Sequence, residues 1–435
     1  MSFGGRQAKK VMSVLGTAQP PLYGNARRHR PDYMIILYMG LLMLMGLVVI
    51  YAIGPQRANV LNNSYGSDYS GSYFFIKQAV SLLLSLITFG IVAAIPYAWL
   101  AKRSGKLLVF GFLACVLLAF AGWTGLSIAQ CSLGACRWFD FGILGSLQPS
   151  ELLKFSIMIF LAGFLGVRIN QGKLNNVQDT LVPVSVIAAL ALLFVVIIQK
   201  DLGTGIALSG IVISMLTVGG MSKKVGSVIL VVGLALGAIL IISSPHRVDR
   251  ITTFLKGDSS STSDKASYHV EHAKIAIGVG GLLGVGIGNS IQATGYLPEA
   301  INDSVFAIMG ETFGFIGLSA VIVAFVALLM RLLKIMDHLV DIRLKLIVAG
   351  VFGWLGSHVI LNIASMIGIV PLTGITLPLM SFGGTSMIFI AAALGLVFQL
   401  SRYTLHTSRL KEATHEDFGS RRGIGRSRYA SRSGI

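Results

Sequence analysis

Three carboxylates flank one junction in the chain. In Tyr296-Leu-Pro-Glu-Ala-Ile-Asn-Asp-Ser-Val-Phe-Ala-Ile-Met-Gly-Glu311, Glu299 and Asp303 precede an apolar run, and Glu311 falls about two turns inside it. Acids at a membrane mouth are costly to desolvate, so they are functional candidates by default. A carboxylate can serve as a general base, or it can close a helix start. The second reading is open here too: Asn302 or Asp303 could cap the following helix, and Pro298 suits a first turn.

A second polar constellation lies upstream. Gln148-Pro149-Ser150-Glu151-Leu-Leu-Lys154 opens an apolar run, and Glu151 and Lys154, three apart, share one helix face. Arg137-Trp138 comes just before it, and Gln199-Lys200-Asp201-Leu202-Gly203-Thr204 sits at a turn between two later runs. The plain alternative is a salt-bridge cluster that fixes helix packing, although ionisable groups within a membrane usually mark substrate paths. Asn362 lies inside another run. After it, Pro371 to Ser386 carries Pro378, Ser381 and several glycines, which implies broken helix and irregular backbone at a membrane edge.

The elements that must hold these groups are membrane spans. Hydrophobic residues make up 54% of the 435-residue chain and charged residues only 12%, against about a quarter in soluble domains. Apolar runs fall at about 33–53, 73–95, 106–124, 150–168, 181–199, 202–220, 225–243, 304–331, 346–370 and 383–402, about ten spans in all. Basic residues alternate between loops as the positive-inside rule requires, with Lys102, Arg168, Lys223 and Arg331 inside. The expected fold is therefore an all-α polytopic membrane protein with both termini cytoplasmic and a large extracytoplasmic loop, 244–303, between spans seven and eight. Residues 1–32 read as a basic cytoplasmic arm, 33–403 as the membrane domain, and 404–435 as a basic disordered tail. Much of the +17 charge sits in these two ends. That fits attraction to anionic lipid headgroups rather than nucleic-acid binding. The outer loop carries Arg247, Arg250, Lys256, Lys265 and Lys274 against the rule, and an anionic ligand would explain them.

Two further features resolve less sharply. The glycines of Gly278 to Gly288 miss P-loop spacing, and close helix packing or a re-entrant segment is the better reading. Cys131 and Cys136 share an outer loop, where they can form a disulfide or remain free thiols; Cys115 lies in a span. No internal repeat is evident.

Taken in order, these motifs resemble the SEDS family (shape, elongation, division and sporulation), whose members include FtsW, RodA and SpoVE. The resemblance runs from about residue 33 to 403. It rests on Arg137-Trp138, Gln148-Pro149-Ser150-Glu151 with Lys154, Asp201-Leu202-Gly203-Thr204, the glycines at 280, 281, 284 and 286, Tyr296 to Ala300, and Pro371 to Ser386. It implies ten transmembrane helices in the bacterial cytoplasmic membrane and polymerisation of lipid II into peptidoglycan glycan strands. It also implies a class B penicillin-binding protein as transpeptidase partner, with other division proteins at the septum. The family's catalytic aspartate falls on Asp303. Its motif usually reads Pro-Glu-x-His-Thr-Asp-Phe; here Ile301, Asn302 and Ser304 replace the His, Thr and Phe. The Tyr-Leu-Pro-Glu-Ala wording and the basic tails are more similar to the division members than to the elongation members.

On that resemblance Asp303 takes the proton of an attacking sugar hydroxyl while undecaprenyl diphosphate leaves. The leaving group needs positive charge from arginine or from a divalent cation such as Mg or Mn; Arg137, Arg247, Arg250 and Lys154 are the candidates. Substrate contacts are expected from Glu151, Lys154, Asp201, Arg137, Trp138, Gln148, Arg247, Arg250, Glu299 and Ser381, with no resident metal required. A lipid II flippase or transporter is a rival from another class. Clustering of the charged groups at one membrane face, away from the midplane, counts against it. A non-catalytic scaffold that recruits the transpeptidase is a third reading, and an intact Asp303 counts against that.

Overall fold

Apolar runs in lipid must satisfy every backbone polar group internally, so they fold as helices. The computed structural model describes residues 29–132, 135–142, 145–242, 248 and 265–404. Arg247, Arg250 and Lys256, most of the N-terminal arm and the tail from residue 405 lie outside the described residues.

The first helices are α1 (Met34–Tyr65), α2 (Tyr73–Ala94) and α3 (Tyr97–Trp123). An antiparallel sheet follows, with β1 (Ala129–Ser132), β2 (Ala135–Asp140) and β3 (Ser146–Leu147) in that spatial order. Next come α4 (Pro149–Asn170), α5 (Val182–Leu192) with π-helical turns on both sides, α6 (Leu202–Val218) and α7 (Lys223–Ile242). Then α8 (Lys265–Val279), α9 (Val305–His338), α10 (Ile342–Met366) and α11 (Gly384–Leu400) complete the chain.

Each expected span coincides with a helix. Among the described residues, eight helical segments are long and apolar enough to cross a membrane. The other two expected spans fall on α6, which is 17 residues long, and α7. Leu83, Leu86 and Ile87 of α2 and Val109, Phe110, Leu117 and Phe120 of α3 point outward, an apolar surface suited to hydrocarbon rather than water.

The central helix is α10, which packs on α4, α6, α8, α9 and α11. Its closest approach is to α6. Gly353 faces the backbone of Gly210, and the Ser214 hydroxyl donates to the Ala349 carbonyl at 2.8 Å. Small residues let membrane helices approach in this way. The first and last described segments meet at one end of the bundle: the His29 N–H donates to the Arg402 carbonyl at 2.9 Å, and Asp32 pairs with Arg331 at 2.6 Å.

Four local features depart from the sequence reading. First, α1 does not stop near residue 53. Its 32 residues span about 48 Å, well past the ~30 Å hydrocarbon core. The extension is held by Gln56, which donates to the Gly288 carbonyl at 2.9 Å, and ends where Asn62 clamps the backbone of Tyr69 in both directions. Second, the outer segment before α4 holds the three-stranded sheet within an otherwise helical fold. The Cys131–Cys136 disulfide joins β1 to β2 and rests against Gly122.

Third, the later part of the 244–303 loop is ordered against the bundle. α9 is broken at Gly314 (φ 64°, ψ −163°), a conformation open to glycine. The break frees backbone groups, and the glycine-rich segment satisfies them. Val285 and Gly286 N–H donate to the carbonyls of Glu311 and Thr312, while Phe315 and Ile316 N–H donate to Gly281 and Leu282. A side chain at Gly280 or Gly284 would collide with that backbone. Fourth, Asn302 and Asp303 are not caps. They lie in a turn, Ser304 precedes the helix, and no side chain caps it.

The alternation of loops gives a labelling test. Asp68 and Gln171 are exposed at loops expected on opposite sides, while the native cysteines are bridged or buried. An impermeant maleimide should label Asp68→Cys in intact spheroplasts and Gln171→Cys only after permeabilisation. Labelling of both from outside would reject the topology.

Candidate functional site

Pro149 starts α4 with a preset φ, and the first two turns then place Glu151 and Lys154 inward. They form an ion pair of 2.8 Å, with the lysine side chain 0% and the glutamate 3% exposed. Two residues of α10 complete the lysine's surroundings. The Trp354 ring centroid lies 4.7 Å from Nζ, and His358 Nε2 lies 3.3 Å from it. Nδ1 of His358 faces the Thr376 carbonyl at 3.5 Å. Because Lys154 is fully enclosed, it cannot itself touch a diphosphate in this arrangement; its influence is that of a fixed charge behind the site.

Asp201 is the N-cap of α6. Its Oδ1 accepts from the Thr204 N–H at 2.9 Å, and its Oδ2 accepts from the Thr204 hydroxyl at 2.8 Å and from Gln148 Nε2 at 3.2 Å. The acid therefore ties the start of α6 to the start of α4. Arg137 braces the same turn from β2. Its Nε donates to the Gln199 carbonyl at 3.1 Å and its Nη2 to the Lys200 carbonyl at 2.9 Å. Lys200 holds φ 53°, a left-handed conformation that such bracing supports. This geometry commits much of the expected cationic fork to backbone. Trp138, next on β2, is part-buried and pairs with Gln130 across the sheet.

Asp303 is part-buried in the turn that leads into α9. Asn362 of α10 pins it: Nδ2 donates both to the Asp303 carbonyl and to the Ile375 carbonyl, each at 2.7 Å. The Phe382 N–H donates to the Ile301 carbonyl at 2.8 Å, which ties the turn to the irregular segment before α11. The altered motif has its own polar clamp. The Ser304 hydroxyl donates to the Pro298 carbonyl at 2.9 Å, so its oxygen is left to accept from His269 Nε2 at 2.6 Å. The Asn302 side chain donates to the exposed Glu299, which holds φ 49°.

One further acid and one hydroxyl are structural. Glu311 is buried and accepts from the Ser290 hydroxyl and from the Ile291 and Gln292 N–H groups, so it organises the loop rather than facing a cavity. Buried Ser381 accepts from the Leu377 N–H at 2.8 Å and closes the turn around Leu379, whose φ is 64°.

The structure thus brings Glu151, Lys154 and Asp303 to one side of α10. His358 and Asn362, one turn apart, touch Lys154 and the Asp303 carbonyl respectively. The Asp201 turn joins them through Gly203, which packs on Ile375 and the Thr373 carbonyl. Arg247 and Arg250 cannot be placed. Sequence reasoning passed over His358, Trp354 and His269. The available signal was a histidine inside an apolar span one turn before Asn362, because an ionisable group there needs a partner.

The molecule is a multi-pass helical membrane protein whose charged and irregular segments converge at one end of the bundle. The family model described as "Cell cycle protein" and covering FtsW, RodA and SpoVE matches residues 32–406. The chain belongs to that family. It is 32% identical over 373 residues to the probable peptidoglycan glycosyltransferase FtsW of Nitrosomonas europaea, covering 85% of this chain and 92% of that protein. It is 30% identical over 380 residues to the stage V sporulation protein E of Bacillus subtilis, covering 87% and 99%. Two solved structures share the fold. A chain of a peptidoglycan synthase complex that coordinates polymerization and crosslinking has a TM-score of 0.65 at 23% identity, covering 86% of this chain and 99% of that one. The rod shape determining protein RodA of Thermus thermophilus has a TM-score of 0.61 at 23% identity, covering 86% and 98%.

The enclosed ion pair makes Lys154→Met a stability variant as well as a site variant. Removing one partner of a buried pair costs about 3–5 kcal/mol. The thermal midpoint of purified Lys154→Met should therefore fall, and the double variant with Glu151→Gln should recover part of the loss. A Lys154→Met protein as stable as wild type would show that the pair contributes nothing to the fold.

Proposed function

We propose that the chain is a peptidoglycan glycosyltransferase that polymerises lipid II into glycan strands, with Asp303 as general base. The observation that carries the reading is the fixing of Asp303. Its carbonyl is held by Asn362 at 2.7 Å, one turn of α10 from the His358–Lys154 contact. A part-buried acid held one turn of α10 from the residue that contacts a buried positive charge supports this role at the expected outer end of the bundle. Similarity to relatives named peptidoglycan glycosyltransferase supports the same reading.

In the reaction a sugar hydroxyl attacks the anomeric carbon of a lipid-linked sugar. The hydroxyl proton passes to a carboxylate oxygen of Asp303, the new C–O bond forms, and the old C–O bond breaks with its electron pair leaving on undecaprenyl diphosphate. Asn362 fixes where the base stands, which is worth most when the reacting atoms are already aligned. Lys154 balances charge from behind. Gln148, Asp201, Arg137 and Trp138 shape the wall of the site, and Glu299 stands at its exposed rim. Arg247 and Arg250 remain candidates for the diphosphate. Among the described residues no three His, Cys, Asp or Glu side chains converge. A Mg or Mn ion would supply positive charge to the leaving diphosphate.

A class B penicillin-binding protein is the proposed partner, with other division proteins and membrane lipids around it at the septum. The synthase complex that shares the fold supports a partner of this kind. A role in division is the reading we favour over elongation, supported by the Tyr296 to Ala300 wording and by relatives named FtsW. The flippase reading lacks a comparable carrier, because the polar cluster stands at one end of the helices.

The test is a gel of lipid II products from purified wild type and Asp303→Asn, each with the transpeptidase present and at equal protein levels. Loss of a general base lowers the rate by about 10²- to 10⁴-fold, so glycan chains should nearly vanish from the variant while partner binding survives. Equal polymer from both samples would remove Asp303 from the role.

A further inference from the structure

We propose that His358 is a positioning residue for Lys154, acting as a neutral hydrogen-bond acceptor that aims the ammonium beneath the Asp303 turn. The proposal deepens the glycosyltransferase reading and rests on it for its catalytic consequence. An ammonium has three donors and no acceptor, so any hydrogen-bonding partner must offer a lone pair. At 3.3 Å from Lys154 Nζ, His358 Nε2 is that partner, and a lone pair there requires the ring proton to sit on Nδ1. Nδ1 faces the Thr376 carbonyl at 3.5 Å, an acceptor in place for that proton. The two contacts select the same tautomer. His358 is itself buried, 4% exposed.

The consequence is directional. Glu151 Oε1 takes one Lys154 N–H at 2.8 Å and His358 Nε2 takes a second, so tetrahedral geometry fixes the third. Without His358 the ammonium would keep one hydrogen-bond partner, Glu151 on its own helix, and from α10 only the less directional contact of the Trp354 ring, so it could swing with the lysine stem. With His358 it is locked to α10, the helix whose Asn362 holds the Asp303 carbonyl at 2.7 Å. One turn of α10 thus links the residue that holds the ammonium to the residue that holds the Asp303 carbonyl. The irregular segment is held by the same two residues, since Thr376 meets His358 and Ile375 meets Asn362.

Glutamine and leucine at position 358 separate this role from space filling. A Gln amide oxygen reaches about as far as Nε2 and accepts a hydrogen bond; Leu fills volume and accepts none. In lipid II polymerisation by the full chain with its transpeptidase, His358→Gln should stay within about threefold of wild type, whereas His358→Leu should lose about 10²-fold, the scale of a misplaced catalytic constellation. A His358→Leu protein that polymerises like wild type, or a His358→Gln protein as weak as His358→Leu, would overturn the proposal. Thermal midpoints of His358→Leu, Lys154→Met and the double variant give a readout independent of catalysis. Residues in contact should shift them non-additively, and strictly additive shifts would also overturn it. If wild type itself makes no polymer, the glycosyltransferase reading fails, while this cycle still decides whether His358 and Lys154 act as a pair.

Discussion

An ammonium with no exposed surface inside a membrane bundle has to be compensated on every side. Lys154 meets that condition with a carboxylate on its own helix and with an aromatic face and an imidazole on α10. The desolvation cost of such a charge is several kcal/mol and is recovered only when the geometry is good. The relative placement of α4 and α10 is therefore not free. Once α10 is set against α4, Asn362 comes to a defined height, and with it the turn that carries Asp303. Glu151 and Lys154 thereby fix how α4 and α10 sit against each other.

The second constraint is backbone satisfaction. Two stretches at the site abandon regular helix, the Gly314 break in α9 and the segment before α11. In lipid, each freed N–H or C=O would cost several kcal/mol unless paired. The glycine-rich segment supplies the partners for the first, with four main-chain hydrogen bonds from Val285, Gly286, Phe315 and Ile316. Ser381, Asn362 and the Phe382 N–H do the same for the second. Through Asn362 and Ile301 the second of these stretches is stitched to the Asp303 turn, so the acid is held although it lies outside any helix.

The altered residues around Asp303 fit this picture. Ile301 is buried and contributes its carbonyl to the Phe382 N–H. Asn302 clamps Glu299, and Ser304 links His269 of α8 to the Pro298 carbonyl. A turn usually shaped by other side chains is here held by a short polar network. On the opposite wall, the disulfide-linked sheet carries Arg137 to the carbonyls before Asp201. The disulfide thereby steadies the turn that leads into α6.

Much of this was written in the sequence. Apolar run lengths determined the helices, because a bilayer accepts little else, and the alternation of basic loops determined their order and expected orientation. The motifs around Asp303, Asp201 and Glu151 marked the polar groups that the fold gathers around α10, and the proximity of Glu151 to Lys154 followed from helical spacing alone. Other features depended on partners distant in the chain. Whether Arg137 faces a ligand or a carbonyl turns on residues about sixty positions away, and Glu311 became a loop organiser only once the segment at 290–292 folded onto it. Local patterns also end α1 too early, because its outer extension is stabilised by Gly288, far downstream. His358 shows the limit most clearly. A histidine in an apolar span states a need for a partner, and only the packing of α10 against α4 decided that the partner was Lys154.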